Sequence, residues 1–356
     1  MFARFKTGFA AILTAVSLLQ VPAQAQNAEK VLNLYSARHY STDEVLYSTF
    51  TKTTGIKINR VDADDAGIIT RLKAEGAASP ADLILLVDAA RLTKADEEGL
   101  FQPIKSKKLD DSIPANFRSA ATKDGVTWTG FSTRARVIVY DKAKVKKEDV
   151  ATYEQLADPI NKGKVCTRSG SHPYNLSLFS SVMEHLGEAK TEAFLKGMVT
   201  NMARSPKGGD TDQINGVASG ECAIALANTY YVARMMRSTK PEDIATMAKV
   251  GIMFPNQASN STGTGTHMNI AGGAVAKYAK NRDNAVLFME YLASPFAQDH
   301  FANGNNEWPT VKGVSIENTT LATMSGGSFK SETIPLAAVA KNQTKVQQML
   351  DRVGYK

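Results

Sequence analysis

Trp128 to Tyr140 reads WTGFSTRARVIVY, an extended run rich in β-branched and aromatic residues that predicts a strand crossing from one lobe of the molecule into another. On its N-terminal side, strand and helix signals alternate. Val31 to Tyr35 is a short β-prone run. Thr42, Asp43 and Glu44 open a helix with Val45, Leu46 and Phe50 on its apolar face, stopped by Gly55. Ile56 to Val61 alternates as a strand does. Asp65 to Glu75 carries Ile68, Ile69 and Leu72 at helical spacing before Gly76. Asp82 to Val87 is a buried-strand run, and Ala90 to Gly99 is helical again. This β-α-β-α-β order predicts an α/β lobe with a largely parallel sheet.

The C-terminal side of the crossing run has its own alternation. Val165 and Cys166 precede a Ser/Gly loop and a helix carrying Leu176, Leu178, Phe179, Val182 and Met183. Glu221 to Ala227 reads as a buried strand, and Thr229 to Met236 as a helix. Val250 to Phe254 reads as the strand that returns to the first lobe, and Ile334 to Val353 as a two-faced terminal helix. The lobes predicted are 26–131 plus about 256–305, and 132–255 plus about 306–356. Two α/β lobes joined by crossing strands leave a cleft between them, a preferred ligand position.

Composition agrees with a globular, exported chain. Arg4 and Lys6, the apolar run Phe9 to Val21 and the small-x-small site at Pro22 to Ala25 predict a signal peptide over residues 1–25. The apolar run is shorter than the ~20 residues that a membrane span needs, so a soluble periplasmic protein is expected. Removing the leader leaves 331 residues, more than one hydrophobic core usually serves. The net charge of +7 is spread along the chain without a basic cluster, which gives nucleic-acid binding little support. Cys166 and Cys222 are the two cysteines, and an oxidising compartment favours their pairing as a disulfide.

No catalytic signature appears: GxSxG, HExxH and the P-loop pattern are all absent. The five histidines show no metal-like spacing, and the glycines Gly263, Gly265, Gly272 and Gly273 around His267 read as a flexible connector. Gly208 to Asp212 reads as a turn and helix start. The tyrosines are distinctive. Tyr230 and Tyr231 fall at a strand-to-helix junction in AIALANTYYVAR, Tyr40 follows His39 at another, and Tyr174 lies in the loop SGSHPYN. All four stand just past the C-terminal ends of expected strands, where open α/β sheets bind ligands. Any one of them also fits a partly buried ring whose hydroxyl finds a partner.

The segments NLYSARHY (Asn33 to Tyr40), the surroundings of Tyr174, and ANTYY (Ala227 to Tyr231) with Arg234 resemble the periplasmic ferric-iron-binding proteins of bacterial ABC importers. The likeness runs on through TRARVIVYDK and the closing DRVGYK. It implies a transferrin-like, type II two-lobe fold, each lobe a mixed sheet flanked by helices and joined by crossing hinge strands. It also implies a non-enzymatic monomer that hands Fe³⁺ to an inner-membrane permease. By the same resemblance Tyr40, Tyr174, Tyr230 and Tyr231 are iron ligands, and His39 matches a histidine that coordinates in some members. Arg134 matches an arginine that holds a synergistic carbonate in some relatives. Four-tyrosine members usually need no such anion, so none is expected. Arg134 or Arg234 is expected to offset the phenolate charge from behind the ligands.

The chemistry is coherent. Fe³⁺ is a hard ion that favours anionic oxygen, and phenolate is a known iron ligand. Ionising a tyrosine of pKa about 10 at neutral pH costs about 4 kcal/mol, so four cost about 16 kcal/mol, which only a strongly attracting cation offsets. An aromatic-walled site for an organic cation such as a polyamine is the alternative within the same fold, but Asp43 and Glu221 are few acids for it.

Overall fold

The structure, a computed structural model, describes Met1 and residues 30–258, 264–314, 317–333 and 336–356. The expected signal peptide lies almost wholly outside the described residues. Nine strands form one continuous sheet among the described residues: β1 (Val31–Ser36), β2 (Lys57–Asp62), β3 (Leu83–Leu86), β4 (Trp128–Asp141), β5 (Val165–Cys166), β6 (Ile224–Asn228), β7 (Val250–Met253), β8 (Met268–Val275) and β9 (Trp308–Pro309). Their order is β2-β1-β3-β8-β4-β6-β5, with β7 and β9 also pairing β4.

The crossing strand is β4. Trp128 to Ala135 pairs β8, while Arg136 to Tyr140 pairs β6. The two lobes therefore share one strand and divide near Ala135 and Arg136. The sheet is mixed: β1 runs parallel to β2 and β3, and β5 to β6, but β8 and β4 run antiparallel to their neighbours. The largely parallel sheet expected from the β-α-β order is confined to β2-β1-β3, because the chain returns to the first lobe through β8. That return is not the Val250 to Phe254 run. Its strand, β7, stays beside the second-lobe half of β4, at Ile138 to Asp141.

The β8 strand accounts for glycines expected in a flexible connector. A Cβ at Gly272 would sit 2.7 Å from the Thr129 carbonyl oxygen, and one at Gly273 would sit 2.9 Å from Leu85 Cδ2. Both glycines lie in the strand and let β3, β8 and β4 pack closely.

Two apolar clusters flank each half of the sheet. Leu32, Leu34, Phe50, Leu83 and Phe288 pack on one side of the first half, and Tyr35, Ile68, Ile84 and Trp128 on the other. Phe179, Leu195, Leu226 and Met349 pack on one side of the second half, and Val137, Ile214, Ala225 and Val232 on the other. Each fully buried Leu, Ile, Val or Phe side chain contributes about 1.5–3 kcal/mol relative to exposure. The helix Glu44–Thr54 ends at Gly55 (φ 73°), as its sequence predicts, but its inward residues are Leu46, Tyr47 and Phe50. Val45, expected on that face, is 49% exposed. The short turn Ser41–Asp43 precedes the helix and shifts which positions face the core. Cys166 and Cys222 are bonded, with Cα atoms 5.8 Å apart. The terminal helix Leu336–Val353 packs on the helix Pro173–Leu186 and reaches Ala89–Glu97 of the first lobe.

Candidate metal centre

Every expected tyrosine leaves the C-terminal end of a strand. Tyr40 follows β1 through the loop Ala37-Arg38-His39, in extended backbone (φ −91°, ψ 117°) just before the turn at Ser41. Tyr174 follows β5. It lies within the first turn of the helix Pro173–Leu186 and not in a loop, with Pro173 at the first position and His172 accepting the Tyr174 N–H at 3.2 Å. Proline at that position loses no needed donor, so the helix begins as soon as the Ser/Gly loop ends. Tyr230 and Tyr231 occupy the first turn of Thr229–Met236. Thr229 fixes this turn against the crossing strand by accepting the Ala135 N–H at 3.2 Å.

These starts converge. The Tyr174 and Tyr230 hydroxyl oxygens are 3.0 Å apart. The Tyr230 ring lies 4.3 Å from Tyr231 and 5.4 Å from Tyr40, centre to centre, and His39 stacks on Tyr40 at 4.7 Å. Tyr40 comes from the first lobe and the other three tyrosines from the second. Tyr174 and Tyr230 are buried, Tyr40 and Tyr231 half-buried, and His39 exposed. A cleft of about 930 Å³ opens onto His39, Tyr40, Tyr174 and Tyr231.

The electrostatics oppose phenolate formation in the absence of a cation. Burial pushes the Tyr230 hydroxyl well above its ordinary range, and Tyr174 and Tyr40 add to the effect. Burial likewise raises Tyr174, with Arg134 pulling it back, and raises Tyr40, where Glu307 adds and Arg38 opposes. His39 is lowered by desolvation and then by the Arg38 charge, which keeps a ring nitrogen free of its proton. His172 falls to about 3 through burial and the charges of Arg168 and Arg136.

Guanidinium groups surround the rings. Arg134, Arg136 and Arg168 lie 5.5, 5.9 and 5.1 Å from the centre of the Tyr174 ring, Arg38 lies 4.9 Å from that of Tyr40, and Arg234 lies 5.2 Å from that of Tyr231. Arg134 and Arg234, expected behind the ligands, are thus at two different rings. Arg134 is 2% exposed and donates to the Val87 carbonyl, whereas Arg234 is exposed and donates to Thr211 Oγ1 at 3.1 Å. Sequence reasoning missed Arg38, Arg136 and Arg168. Arg136 has a signal in hindsight: it stands two residues from Arg134 in a strand, hence on the same face. Its partner Asp210, read as part of a turn, is fully buried 2.6 Å from Arg136 and also pairs Arg168 at 3.1 Å. Those two arginines hold the Asp210 carboxyl below its ordinary range against the opposing effect of burial.

No group of three or more His, Cys, Asp or Glu side chains suited to a metal occurs among the described residues. The site that the fold assembles is phenolic. Residues 46–323 match the family described as bacterial extracellular solute-binding protein. Iron uptake protein A1 of Synechocystis sp. is 45% identical over 334 residues, covering 94% of this chain and 90% of that protein. The major ferric iron-binding protein of Neisseria meningitidis is 26% identical over 300 residues, covering 84% and 85%. Among solved structures, a Trichodesmium protein (IdiA, FutA) in complex with iron and citrate ligands superposes with a TM-score of 0.82 at 48% identity, over 92% of this chain and 100% of that one. A ferric binding protein from Campylobacter jejuni gives 0.84 at 38% identity, over 91% and 100%. With its two lobes, shared crossing strand and phenolic cleft, the chain belongs to the bacterial extracellular solute-binding proteins.

Proposed function

We propose that the protein binds one ferric ion in the interlobe cleft and delivers it to the permease of an ABC importer in the inner membrane. The observation that carries this reading is the 3.0 Å approach of the Tyr174 and Tyr230 hydroxyl oxygens, with Tyr40 and Tyr231 against the same ring. Four phenols converging from two lobes at strand ends suit a hard trivalent cation and little else. In this reading Tyr174, Tyr230 and Tyr231 receive the ion on the second lobe. Closure of the first lobe then adds Tyr40, and His39 from its exposed position.

Four phenolates and a neutral imidazole around Fe³⁺ leave a net charge of −1. The guanidinium groups of Arg134 and Arg234, stacked on two of the rings, are placed to offset it. Because each ligand must lose a proton, loading releases protons and weakens as the pH falls. The iron uptake protein and ferric-binding protein relatives support the cargo. The proposed lobe limits are 26–131 plus about 256–305 and 132–255 plus about 306–356; separate apolar clusters on the two halves of the sheet support two lobes, while the pairing of Ser132 to Ala135 with β8 favours a crossing a few residues later, near Ala135–Arg136. Export to the periplasm through a leader cleaved after Ala25, and action as a monomer, complete the proposal. Among the described residues no helix is long and apolar enough to cross a membrane.

A visible absorption titration of the mature protein with chelated Fe³⁺ tests this directly. A tyrosinate-to-iron charge-transfer band saturating at one equivalent, and altered in Tyr230→Phe, is the expected result. No band from the wild-type protein overturns the iron reading.

The cleft also favours a second reading of the coordination. It is far larger than a bare ion, and Arg91 and Arg168 line it from opposite lobes, each with a buried Nε lacking a partner. The Trichodesmium relative is in complex with iron and citrate ligands, and a small carboxylate entering with the ion is consistent with this lining. A band unchanged whether iron arrives as citrate or as a non-carboxylate chelate counts against it.

A further inference from the structure

Residues 300–307 touch both elements that bring tyrosines to the cleft. On one side they hold the loop that carries Tyr40. Asn305 Nδ2 donates to Asp43 at 2.7 Å, and the Asn305 side-chain oxygen accepts from Thr42 Oγ1. Glu307 accepts from Arg38 Nη2 at 3.3 Å, and Arg38 lies over the Tyr40 ring. On the other side they meet Arg237, the residue that follows the helix Thr229–Met236. Arg237 Nη1 donates to the Asn303 carbonyl at 2.5 Å and to Asn306 Oδ1 at 2.8 Å. Tyr230 and Tyr231 open that same helix. At 1.5 Å per residue, Arg237 stands about 9 Å past Tyr231 along the axis.

The segment is braced from within. It opens with a π-helical turn, His300–Gly304, a form frequent at functional sites. The Asn305 N–H bonds the His300 carbonyl at 3.2 Å, and the Glu307 N–H bonds that of Phe301 at 2.9 Å. Asn306 has φ 58°, a left-handed backbone that a residue other than glycine keeps only where its surroundings hold it. Its own side chain supplies the hold. Besides Arg237, Asn306 Oδ1 accepts Asn318 Nδ2 at 3.0 Å, and Asn318 Nδ2 also reaches the Ala302 carbonyl at 2.7 Å. Asn305, Asn306 and Glu307 are all buried.

Asn305 and Glu307 thus grip the Tyr40 loop, while Asn306 between them grips the helix of Tyr230 and Tyr231. A displacement at one contact is passed to the other through one or two peptide units. Arg237 is exposed and forms no ion pair among the described residues. Its side-chain hydrogen bonds among them both go to this segment.

We infer that Arg237 and Asn306 are positioning residues for the metal, a clasp that fixes where Tyr40 stands relative to Tyr230 and Tyr231. The inference rests on the proposed iron reading. It adds the device that brings the phenols of the two lobes into register.

The test is chelator competition for Fe³⁺, read through the tyrosinate-to-iron band, on the full mature protein, Arg237→Ala, Tyr40→Phe and the double variant. Arg237→Ala should bind iron about tenfold more weakly, as when a group that orients a ligand is lost. Its urea midpoint should hardly move, since the side chain is exposed. In the Tyr40→Phe background the same substitution should cost nothing further, because no phenol is left to place. Asn306→Gly, which adopts φ 58° freely but offers no acceptor, should lose as much as Arg237→Ala. Asn306→Asp keeps an acceptor and should restore most of that loss. Unchanged affinity in Arg237→Ala, or an equal loss with and without the Tyr40 hydroxyl, overturns the clasp while the wild-type band stands. A wild type without the band overturns the iron reading and the clasp with it.

Discussion

The guanidinium carbon of Arg38 lies 4.9 Å above the centre of the Tyr40 ring, two residues along the same loop. The same carbon lies 4.9 Å from the centre of the Phe301 ring. Arg38 Nε lies 2.5 Å from Asp43 and its Nη2 3.3 Å from Glu307, with all three side chains at most 4% exposed. Glu307 in turn accepts Ser132 Oγ at 2.9 Å, which ties the platform to the crossing strand. The segment that brings Tyr40 to the cleft has no regular structure of its own, so this ion-paired stack is what gives the tyrosine a fixed place.

Replacing Arg38 with glutamine should therefore do two things. It leaves Asp43 and Glu307 buried without their cation, a loss of about 3–5 kcal/mol, read as a lower urea midpoint. It also frees Tyr40, so iron affinity should fall about 10–100-fold, as for other groups that orient a ligand from behind. Arg38→Lys should recover little of either, since a compact ammonium lacks the planar fork that reaches both carboxylates from beside two rings. Full affinity in Arg38→Gln by competition with a chelator would show that Tyr40 needs no such support.

Tyr153 offers the opposite case. Its hydroxyl donates to the Arg136 carbonyl at 2.5 Å and accepts the His267 N–H at 3.1 Å, and the side chain is 3% exposed. Tyr153→Phe should cost about 1–3 kcal/mol of stability by orphaning those groups, while leaving the iron band unmoved. Tyr174→Phe should alter the band and change the unfolding midpoint much less. The pair of variants, compared by absorption and by urea titration, separates structural from ligating tyrosines. A shifted band in Tyr153→Phe would erase the distinction.

Tyr40, Tyr230 and Tyr231 are legible in the chain because each follows a short β-prone run within a few residues, and strand ends in open α/β sheets face a ligand crevice. Tyr174 is readable as to place but not as to structure, since a Ser/Gly-rich approach hides a helix that begins on Pro173. The glycines of β8 mislead for a related reason. Glycine marks freedom in a loop and close packing in a sheet, and only the contacts at Thr129 and Leu85 tell the two apart. Asp210 is beyond local reading. It sits in what looks like an exposed turn, and its burial comes from Arg136, 74 positions away. Charges that pair across the fold leave no periodic trace.

Glu332 should make the iron-free protein sensitive to acid. Burial opposes its ionisation, but His267, His185 and Ser181 outweigh burial and bring its carboxyl from 4.5 down to about 2. A folded-state value below the unfolded one gives stability that is present above the unfolded value and lost as pH falls through the folded value. The contribution is therefore complete above about pH 5 and fades towards pH 2. Wild type should melt higher than Glu332→Gln near neutral pH, with the gap narrowing steadily below about pH 4.5. A gap that stays constant down to pH 3 would contradict the assignment.

The Cys166–Cys222 bond joins the end of β5 to the segment just before β6, and the chain between them includes the helix Pro173–Leu186, which carries Tyr174 in its first turn. Those are the two strands whose ends present Tyr174 on one side and Tyr230 and Tyr231 on the other. The bond spans a sequence separation of 56, and closing a loop of that length removes about 4 kcal/mol of unfolded-state entropy. Since β5 is two residues long and pairs β6 at Val165 and Cys166 alone, little else holds this edge in register. The Cys166→Ala, Cys222→Ala double variant should thus lose about 4 kcal/mol in urea unfolding, and its iron affinity should fall because the Tyr174 to Tyr230 spacing relaxes. Tyr40 reaches the site from the other lobe, so Arg38→Gln combined with the cysteine variant should lower stability additively. Equal stability of oxidised wild type and the double variant would instead mean that Asp210, with its two arginines, is sufficient to hold the second-lobe edge.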